Sequence, residues 1–238
     1  MEERRKWLRD AGILVMVLIA IIGIAAAEQE DRYDVTGEIE AVSGTEADAS
    51  ETESLSSDRQ CGGYRYRILA DDTVEVTAYE GSETTLFIPA YMEDKAVTVI
   101  GPAAFKGNGT VQRIYLPPGA LEIGEEAFAG CKELQDIYIT ETVERIGERA
   151  MADCPLLEEI VFPEAVSRIE SMTCQGDTGL RQVTIQPGVS GIAEDAFAEC
   201  DALRLVYGES GFAQCYAQEN DFVYVDMERI REEGNLVW

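Results

Sequence analysis

Apolar residues recur along this chain at a fixed interval of 23 residues. The clearest column consists of isoleucines: Ile100, Ile123, Ile146, Ile169 and Ile192. Columns rich in alanine, phenylalanine, cysteine and leucine keep the same interval. A unit of this length cannot bury its own apolar face, so each unit must cover its neighbour. The spacing therefore predicts a one-dimensional solenoid.

The pattern within one unit predicts a strand followed by a tight return. Leu134, Ile137 and Ile139 have the character of buried residues, and polar or aromatic residues lie between them. Alternation at the end of this segment is typical of a β-strand. The Ile146-Gly147 corner and the segment up to Cys154 then lead the chain to the next strand. We expect parallel β-strands with short helical or 3-10 turns, in about five 23-residue repeats.

Specific motifs place this pattern close to a known family. Leu116-Pro117, Ile123-Gly124 and Ala127-Phe128-Ala-Gly-Cys131 fit the repeat almost position for position. The chain resembles the BspA-like, or treponemal-type, bacterial leucine-rich repeat. Residues 64–88 resemble the N-terminal β-hairpin cap of that family, and residues 206–220 its closing unit. The resemblance implies a leucine-rich repeat solenoid and adhesion to host or bacterial surface molecules.

Two units depart from the repeat. The first has five extra residues between Pro89 and Ile100. The other carries polar or smaller residues where the pattern has glycine, alanine, phenylalanine and cysteine; these are Glu170, Thr173, Cys174 and Asp177. We expect the stack to be looser or less regular around this second unit.

The N-terminal region differs in composition from the repeats. An uncharged run from Ala11 to Ala27 follows four basic residues and ends in Ala-Ala-Ala. This pattern fits both a cleaved signal peptide and an uncleaved signal anchor, and either one places the remainder outside the cytoplasm. Residues 28–60 contain eleven acidic and two basic residues, which is typical of a disordered spacer. The predicted organisation is a signal peptide or anchor at 1–27, an acidic spacer at 28–60, an N-terminal β cap at 61–88, a solenoid with its C-terminal closing unit at 89–226, and a tail at 227–238.

Composition limits the partners that the chain can bind and the catalytic and metal sites that it can form. The 238 residues carry a formal charge of −27 and include no histidine. The charge disfavours nucleic acid and anionic membrane surfaces as partners, because phosphates are bound by clustered Lys and Arg. Membrane contact is expected only through the N-terminal segment, if that segment is uncleaved. The lack of histidine excludes histidine-dependent triads, dyads and metal sites.

The remaining candidates for chemistry are cysteines and carboxylates. Repeat geometry predicts buried thiols, rather than disulfides, at Cys131, Cys154, Cys174 and Cys200, and exposed thiols at Cys61 and Cys215. No C-x-x-C motif is present, which argues against a zinc site. The adjacent acids Glu125-Glu126, Glu158-Glu159 and Glu194-Asp195 fall at positions predicted to be exposed, as expected of a solvated charged surface. We predict no catalytic, cofactor or metal site.

The outward side of the strands is the predicted ligand-binding surface. Alternation places two sets of side chains there. One set includes Phe87, Tyr115, Tyr138 and Val161, and the other includes Arg113, Asp136 and Glu159. An exposed aromatic stripe is typical of a surface that binds a protein or glycan. The alternative is that the aromatic rings only stack on one another and stabilise the sheet. The corresponding functional alternatives are a non-catalytic adhesion or binding protein and an envelope scaffold without a specific ligand.

Overall fold

The computed structural model describes residues 58–230 of the chain. The predicted signal segment at 1–27, nearly all of the predicted spacer at 28–60 and the last eight residues of the predicted tail lie outside the described residues. Within the described range, no helix has both the length and the apolar character needed to span a membrane.

Three antiparallel strands begin the described chain: β1 (Arg59–Cys61), β2 (Tyr64–Ile68) and β3 (Val74–Tyr79). Gly62 and Gly63 join β1 to β2 with φ angles of 54° and 85°, a left-handed conformation that glycine adopts without steric cost. The Tyr79 ring lies 5.5 Å from the Phe105 ring, measured between centroids. These strands therefore cover the first apolar layer of the repeats.

Each solenoid unit contributes one short strand to each of two parallel ladders. The first ladder consists of β4 (Thr85–Phe87), β7 (Arg113–Tyr115), β9 (Asp136–Tyr138), β11 (Glu159–Phe162), β13 (Gln182–Ile185), β15 (Leu205–Gly208) and β16 (Val223–Asp226). The second consists of β6 (Lys95–Ile100), β8 (Glu122–Ile123), β10 (Arg145–Ile146), β12 (Arg168–Ile169) and β14 (Gly191–Ile192). Arg113 lies opposite Asp136, and Ile123 lies opposite Ile146, so these repeats pair in the 23-residue register. The first and last pairings of the first ladder, β4 with β7 and β15 with β16, have other offsets. The predicted parallel solenoid is confirmed.

The extra residues of the first unit form a hairpin. β5 (Tyr91–Met92) pairs antiparallel with the start of β6. Glu93 and Asp94 make the turn with φ angles of 50° and 60°. The insertion therefore satisfies its own backbone hydrogen bonds and leaves the register of the following units unchanged.

The repeat columns form the hydrophobic core. Four of the five column isoleucines are fully buried, and Ile192, in the last unit, is partly buried. The rings of Phe105 and Phe128, from neighbouring units, stack at 5.1 Å between centroids. All four cysteines predicted to be buried are buried free thiols, and both predicted exposed thiols are exposed. Each layer therefore gains stability by removing the apolar face of its neighbour from water.

The return segments are successive turns that run close to one another. A Cβ atom at Gly124 would lie 2.6 Å from the backbone nitrogen of Pro102. A Cβ atom at Gly147 would lie 2.6 Å from the backbone nitrogen of Glu125. Glycine in this column therefore sets how closely neighbouring units approach. The next unit carries Glu170 in the same column.

The strand ladders are interrupted where this unit meets the preceding one. Neither β9 with β11 nor β10 with β12 forms a paired ladder, so the described solenoid contains separate sheets on either side of this junction. The return segments remain bonded across it: Met151 N–H donates to Thr173 O at 2.9 Å, and Asp153 N–H donates to Gln175 O at 2.7 Å. The predicted irregularity is present in the sheets. The core of the same unit is nevertheless closed, because Thr173, Cys174 and Asp177 are fully buried.

A helix follows β15 at the C-terminal end. Helix α1 (Gly211–Glu219) begins after Ser210, whose hydroxyl accepts a hydrogen bond from the Ala213 backbone N–H at 3.2 Å. Ala213 and Ala217 are its buried residues. The Tyr216 ring lies between Phe197 and Phe222, at centroid distances of 6.2 and 6.3 Å. The helix therefore covers the last apolar layer.

Candidate functional site

The first ladder presents the predicted residues on one surface, which we call the strand face. It is formed by the outward side chains of β4, β7, β9 and β11. Phe87, Tyr138 and Val161 are 53%, 44% and 42% exposed. Tyr115 is half-buried between two of them. The predicted polar set lies on the same face, with Arg113 and Glu159 exposed and Asp136 half-buried.

The three aromatic rings of the strand face form a continuous stack. Phe87 and Tyr115 have ring centroids 4.5 Å apart and ring planes inclined by 10°. Tyr115 and Tyr138 are 4.3 Å apart and inclined by 3°. The parallel register of β4, β7 and β9 causes this arrangement, because it places equivalent side chains directly side by side. The ring faces therefore contact one another, and the two residues at the ends of the stack, Phe87 and Tyr138, remain exposed.

The stack ends at the interrupted junction. Val161 follows Tyr138 in the same column, but β9 and β11 are not paired. Beyond the junction the column continues through Thr184 and Tyr207 to Val225 on β16. Our sequence prediction missed β16. The alternation of Val223, Tyr224 and Val225 could have indicated it.

The polar residues beside the stack are joined by short contacts between neighbouring strands. Arg113 Nε donates to Asp136 Oδ2 at 3.0 Å. Gln182 Nε2 donates to Glu159 Oε2 at 2.5 Å. Both members of the Arg113–Asp136 ion pair are substantially solvated, so this pair contributes little to stability.

The Tyr138 hydroxyl lies where the aromatic and polar sets meet. Partial burial raises its pKa to about 12, and the neighbouring Tyr115 hydroxyl and Asp136 carboxylate act in the same direction. Tyr138 therefore keeps its proton throughout the neutral range. It presents a hydrogen-bond donor at the edge of an apolar ring.

Two of the three acid pairs form ion pairs with neighbouring basic side chains. The pKa of Glu126 is lowered, chiefly by its hydrogen bond from Lys106 and further by the charges of Lys106 and Arg149. A general acid needs the opposite shift. Glu158 pairs with Arg181 on the surface at 3.3 Å. Among the described residues, no group of three or more cysteine, aspartate or glutamate side chains is arranged to hold a metal ion.

One carboxyl group has a strongly shifted pKa, and it lies in the core. Asp177 is fully buried, and its Oδ1 accepts a hydrogen bond from the Cys154 backbone N–H at 2.7 Å. Burial raises its pKa to about 9, against the lowering effect of that hydrogen bond. Asp177 is fully enclosed by the core, so we assign it to the packing of this unit.

Comparison with known proteins agrees with the architecture. The family model described as "BspA type Leucine rich repeat region" matches residues 92–220 in six copies. The crystal structure of a leucine-rich repeat protein from T. pallidum is similar, with 26% identity and a TM-score of 0.60 over 63% of this chain and 71% of that chain. A leucine-rich cell surface protein from Faecalibacterium prausnitzii has 25% identity and a TM-score of 0.60. That alignment covers 66% of this chain and only 41% of the Faecalibacterium chain. No curated protein matches the chain.

Proposed function

Because the chain belongs to the BspA-type leucine-rich repeat family, we propose that it is a non-catalytic binding protein of the bacterial cell surface. Its ligand-binding surface is the strand face, and its partners are surface proteins or glycans of a host or of other bacteria. The observation that carries this proposal is the continuous aromatic stack of Phe87, Tyr115 and Tyr138, whose two end residues, Phe87 and Tyr138, are exposed to solvent. Aromatic side chains that stay exposed are frequent anchors at interfaces.

Location outside the cytoplasm is part of the same proposal. The Faecalibacterium neighbour is described as a cell surface protein. In this chain, residues 11–27 would direct export or anchor the protein, and residues 28–60 would separate the repeats from the membrane. A tether of this kind leaves the strand face accessible to large partners.

The ring geometry also favours a second candidate, a scaffold without a specific ligand. Ring planes inclined by only 3° to 10° show that the aromatic residues contact one another closely. Such contacts stabilise neighbouring strands whether or not a partner binds. The two candidates differ in what happens when one exposed ring is removed.

Binding of the full-length chain to an array of matrix proteins and glycans tests the proposal. Saturable binding that is weakened at least about fivefold by Phe87→Ala or Tyr138→Ala supports a binding surface. Tyr91→Ala is the matched control, because Tyr91 is 67% exposed and lies on β5, outside the stack. Loss of stability without loss of binding favours the scaffold. Absence of saturable binding to every probe contradicts the proposed function.

A further inference from the structure

We propose that the strand face binds a polypeptide that presents a lysine or arginine side chain, and this inference rests on the proposed function. The contact point is the unpaired junction between β9 and β11, which we call the crease. Four side chains border it: Asp136 and Tyr138 on one side, and Glu159 and Val161 on the other.

The ring arrangement disfavours a glycan as the main ligand of the aromatic residues. Sugars pack their C–H groups against the flat face of an aromatic ring. Both faces of Tyr115 are occupied, by Phe87 on one side and by Tyr138 on the other. The inner face of Tyr138 is covered by Tyr115 in the same way. Apart from the outer faces of Phe87 and Tyr138, the stack therefore offers ring edges and tyrosine hydroxyl groups, which suit the mixed apolar and polar surface of a polypeptide.

The crease supplies an apolar contact that the rest of the stack does not. Tyr138 and Val161 occupy the same column on either side of the interrupted ladder, and each is more than 40% exposed. An alkyl chain that packed between Tyr138 and Val161 would remove apolar area of both from water.

The negative charges around the crease favour a cationic group on the ligand. Asp136 has a partner in Arg113, but the hydrogen-bond partner of Glu159 is the neutral amide of Gln182. Within residues 58–230, no cation forms an ion pair with Glu159. The same range contains 31 acidic and 13 basic residues, so the surrounding field is negative as well.

Lysine and arginine match both features. Their alkyl stems pack on apolar surface while the charged group stays near solvent. A stem between Tyr138 and Val161 would place that group beside Glu159. The column from Phe87 to Val161 covers four strands, or about 14 Å at a strand spacing of about 4.8 Å. An extended segment of four or five residues spans this distance at about 3.3 Å per residue.

Selection from a phage-displayed library of random twelve-residue peptides, with the full-length chain as bait, tests this inference. We expect enriched peptides to combine Lys or Arg with aliphatic or aromatic residues. A synthetic copy of the most enriched peptide should bind at least about fivefold more weakly to Glu159→Gln and to Tyr138→Ala than to the unmodified chain. Binding should also weaken as NaCl is raised from about 50 to about 500 mM.

Two control variants separate the crease from general attraction to an acidic protein. Glu144→Gln removes an equal charge from an exposed position beside β10, and Tyr91→Ala removes an exposed ring outside the stack. Both should leave peptide binding unchanged. Equal losses in the controls and in the crease variants would overturn the inference, as would neutral or acidic enriched peptides, or no enrichment.

The same variants distinguish failure of this inference from failure of the proposed function. If matrix proteins or glycans bind the strand face and depend on Phe87 and Tyr138 but not on Glu159, the proposed function stands and the inference about a cationic side chain is wrong. If no probe responds to any variant of the strand face, both fail.

Discussion

Replacement of Asp177 by asparagine should change how the stability of the protein depends on pH. Asp177 occupies the column of Cys131, Cys154 and Cys200, and it is completely buried. Asparagine has nearly the same shape and retains an oxygen that can accept the Cys154 N–H. It has no charge to lose or gain. The variant therefore removes the titration of this site and conserves its packing.

The magnitude follows from the pKa of Asp177 in the two states. Its pKa is about 9 in the folded protein and about 4 when the chain is unfolded. A raised folded pKa means that the contribution to stability is complete below about pH 4 and is lost as the pH rises towards 9. Between these limits the folded state binds one more proton than the unfolded state. The free energy of unfolding should therefore fall by about 1.4 kcal/mol per pH unit, or about 2 kcal/mol from pH 6 to pH 7.5.

Because the chain contains no histidine, no histidine titrates in the window from pH 6 to pH 7.5, and the titration of Asp177 is easier to detect there. Burial raises the pKa of the Cys131 thiol to about 12, so this thiol begins to affect stability only where it ionises in the unfolded chain, above about pH 8. Any other group that titrates in the window contributes equally to both proteins and cancels in the difference.

Urea unfolding followed by circular dichroism at pH 6.0, 6.5, 7.0 and 7.5 measures the effect. When the free energy of unfolding is plotted against pH, the slope for Asp177→Asn should be shallower than the slope for the unmodified protein by about 1.4 kcal/mol per pH unit. The variant should be the more stable protein at pH 7.5. Glu164→Gln, an exposed acid in the same unit, should run parallel to the unmodified protein. Parallel lines for Asp177→Asn would refute the assignment of a protonated, buried Asp177.

Three further predictions concern packing, thiol reactivity and helix capping. Gly147→Ala should lower the free energy of unfolding by about 1–3 kcal/mol in a urea titration, because its Cβ would lie 2.6 Å from the Glu125 backbone nitrogen; an unchanged midpoint would contradict the close approach. A thiol reagent at pH 8 should react rapidly with the exposed Cys61 and Cys215 and with the four buried thiols only after denaturation, so that six rapid reactions would show an open core. Ser210→Ala should cost about 1 kcal/mol in thermal unfolding by removing the side-chain cap of helix α1, whereas Ser210→Asn should keep most of that stability.

The repeating part of the fold could be predicted because each unit meets the same surroundings. A column such as Ile100 to Ile169 has one environment repeated four times, so its burial follows from the spacing alone. The hairpin of the first unit has no counterpart elsewhere in the chain. Its existence depends on the pairing of Tyr91 with Ala96, a single local interaction that periodicity does not encode.

The candidate site was predictable in part for the same reason. Alternation indicates which side chains leave the core, and it placed Tyr115 and Tyr138 on one face. The ring angles and the exposed edges depend on side-chain torsions, which the sequence pattern does not determine. The crease depends on the missing pairing between β9 and β11. The departures around Asp177 indicated an irregular unit, but they did not indicate that its strands would lose their pairing with β9 and β10.

The constant register between units has a consequence for how the gene can change. Arg113 pairs with Asp136, and Gln182 pairs with Leu205, each at the same offset along the chain. Duplication or deletion of one whole unit of coding sequence therefore preserves every remaining layer and both covered ends. It changes only the length of the strand face, by about 4.8 Å for each unit. Recombination within the repeats can thus lengthen or shorten the surface in equal steps, whereas loss of any other number of residues would rotate core columns into water.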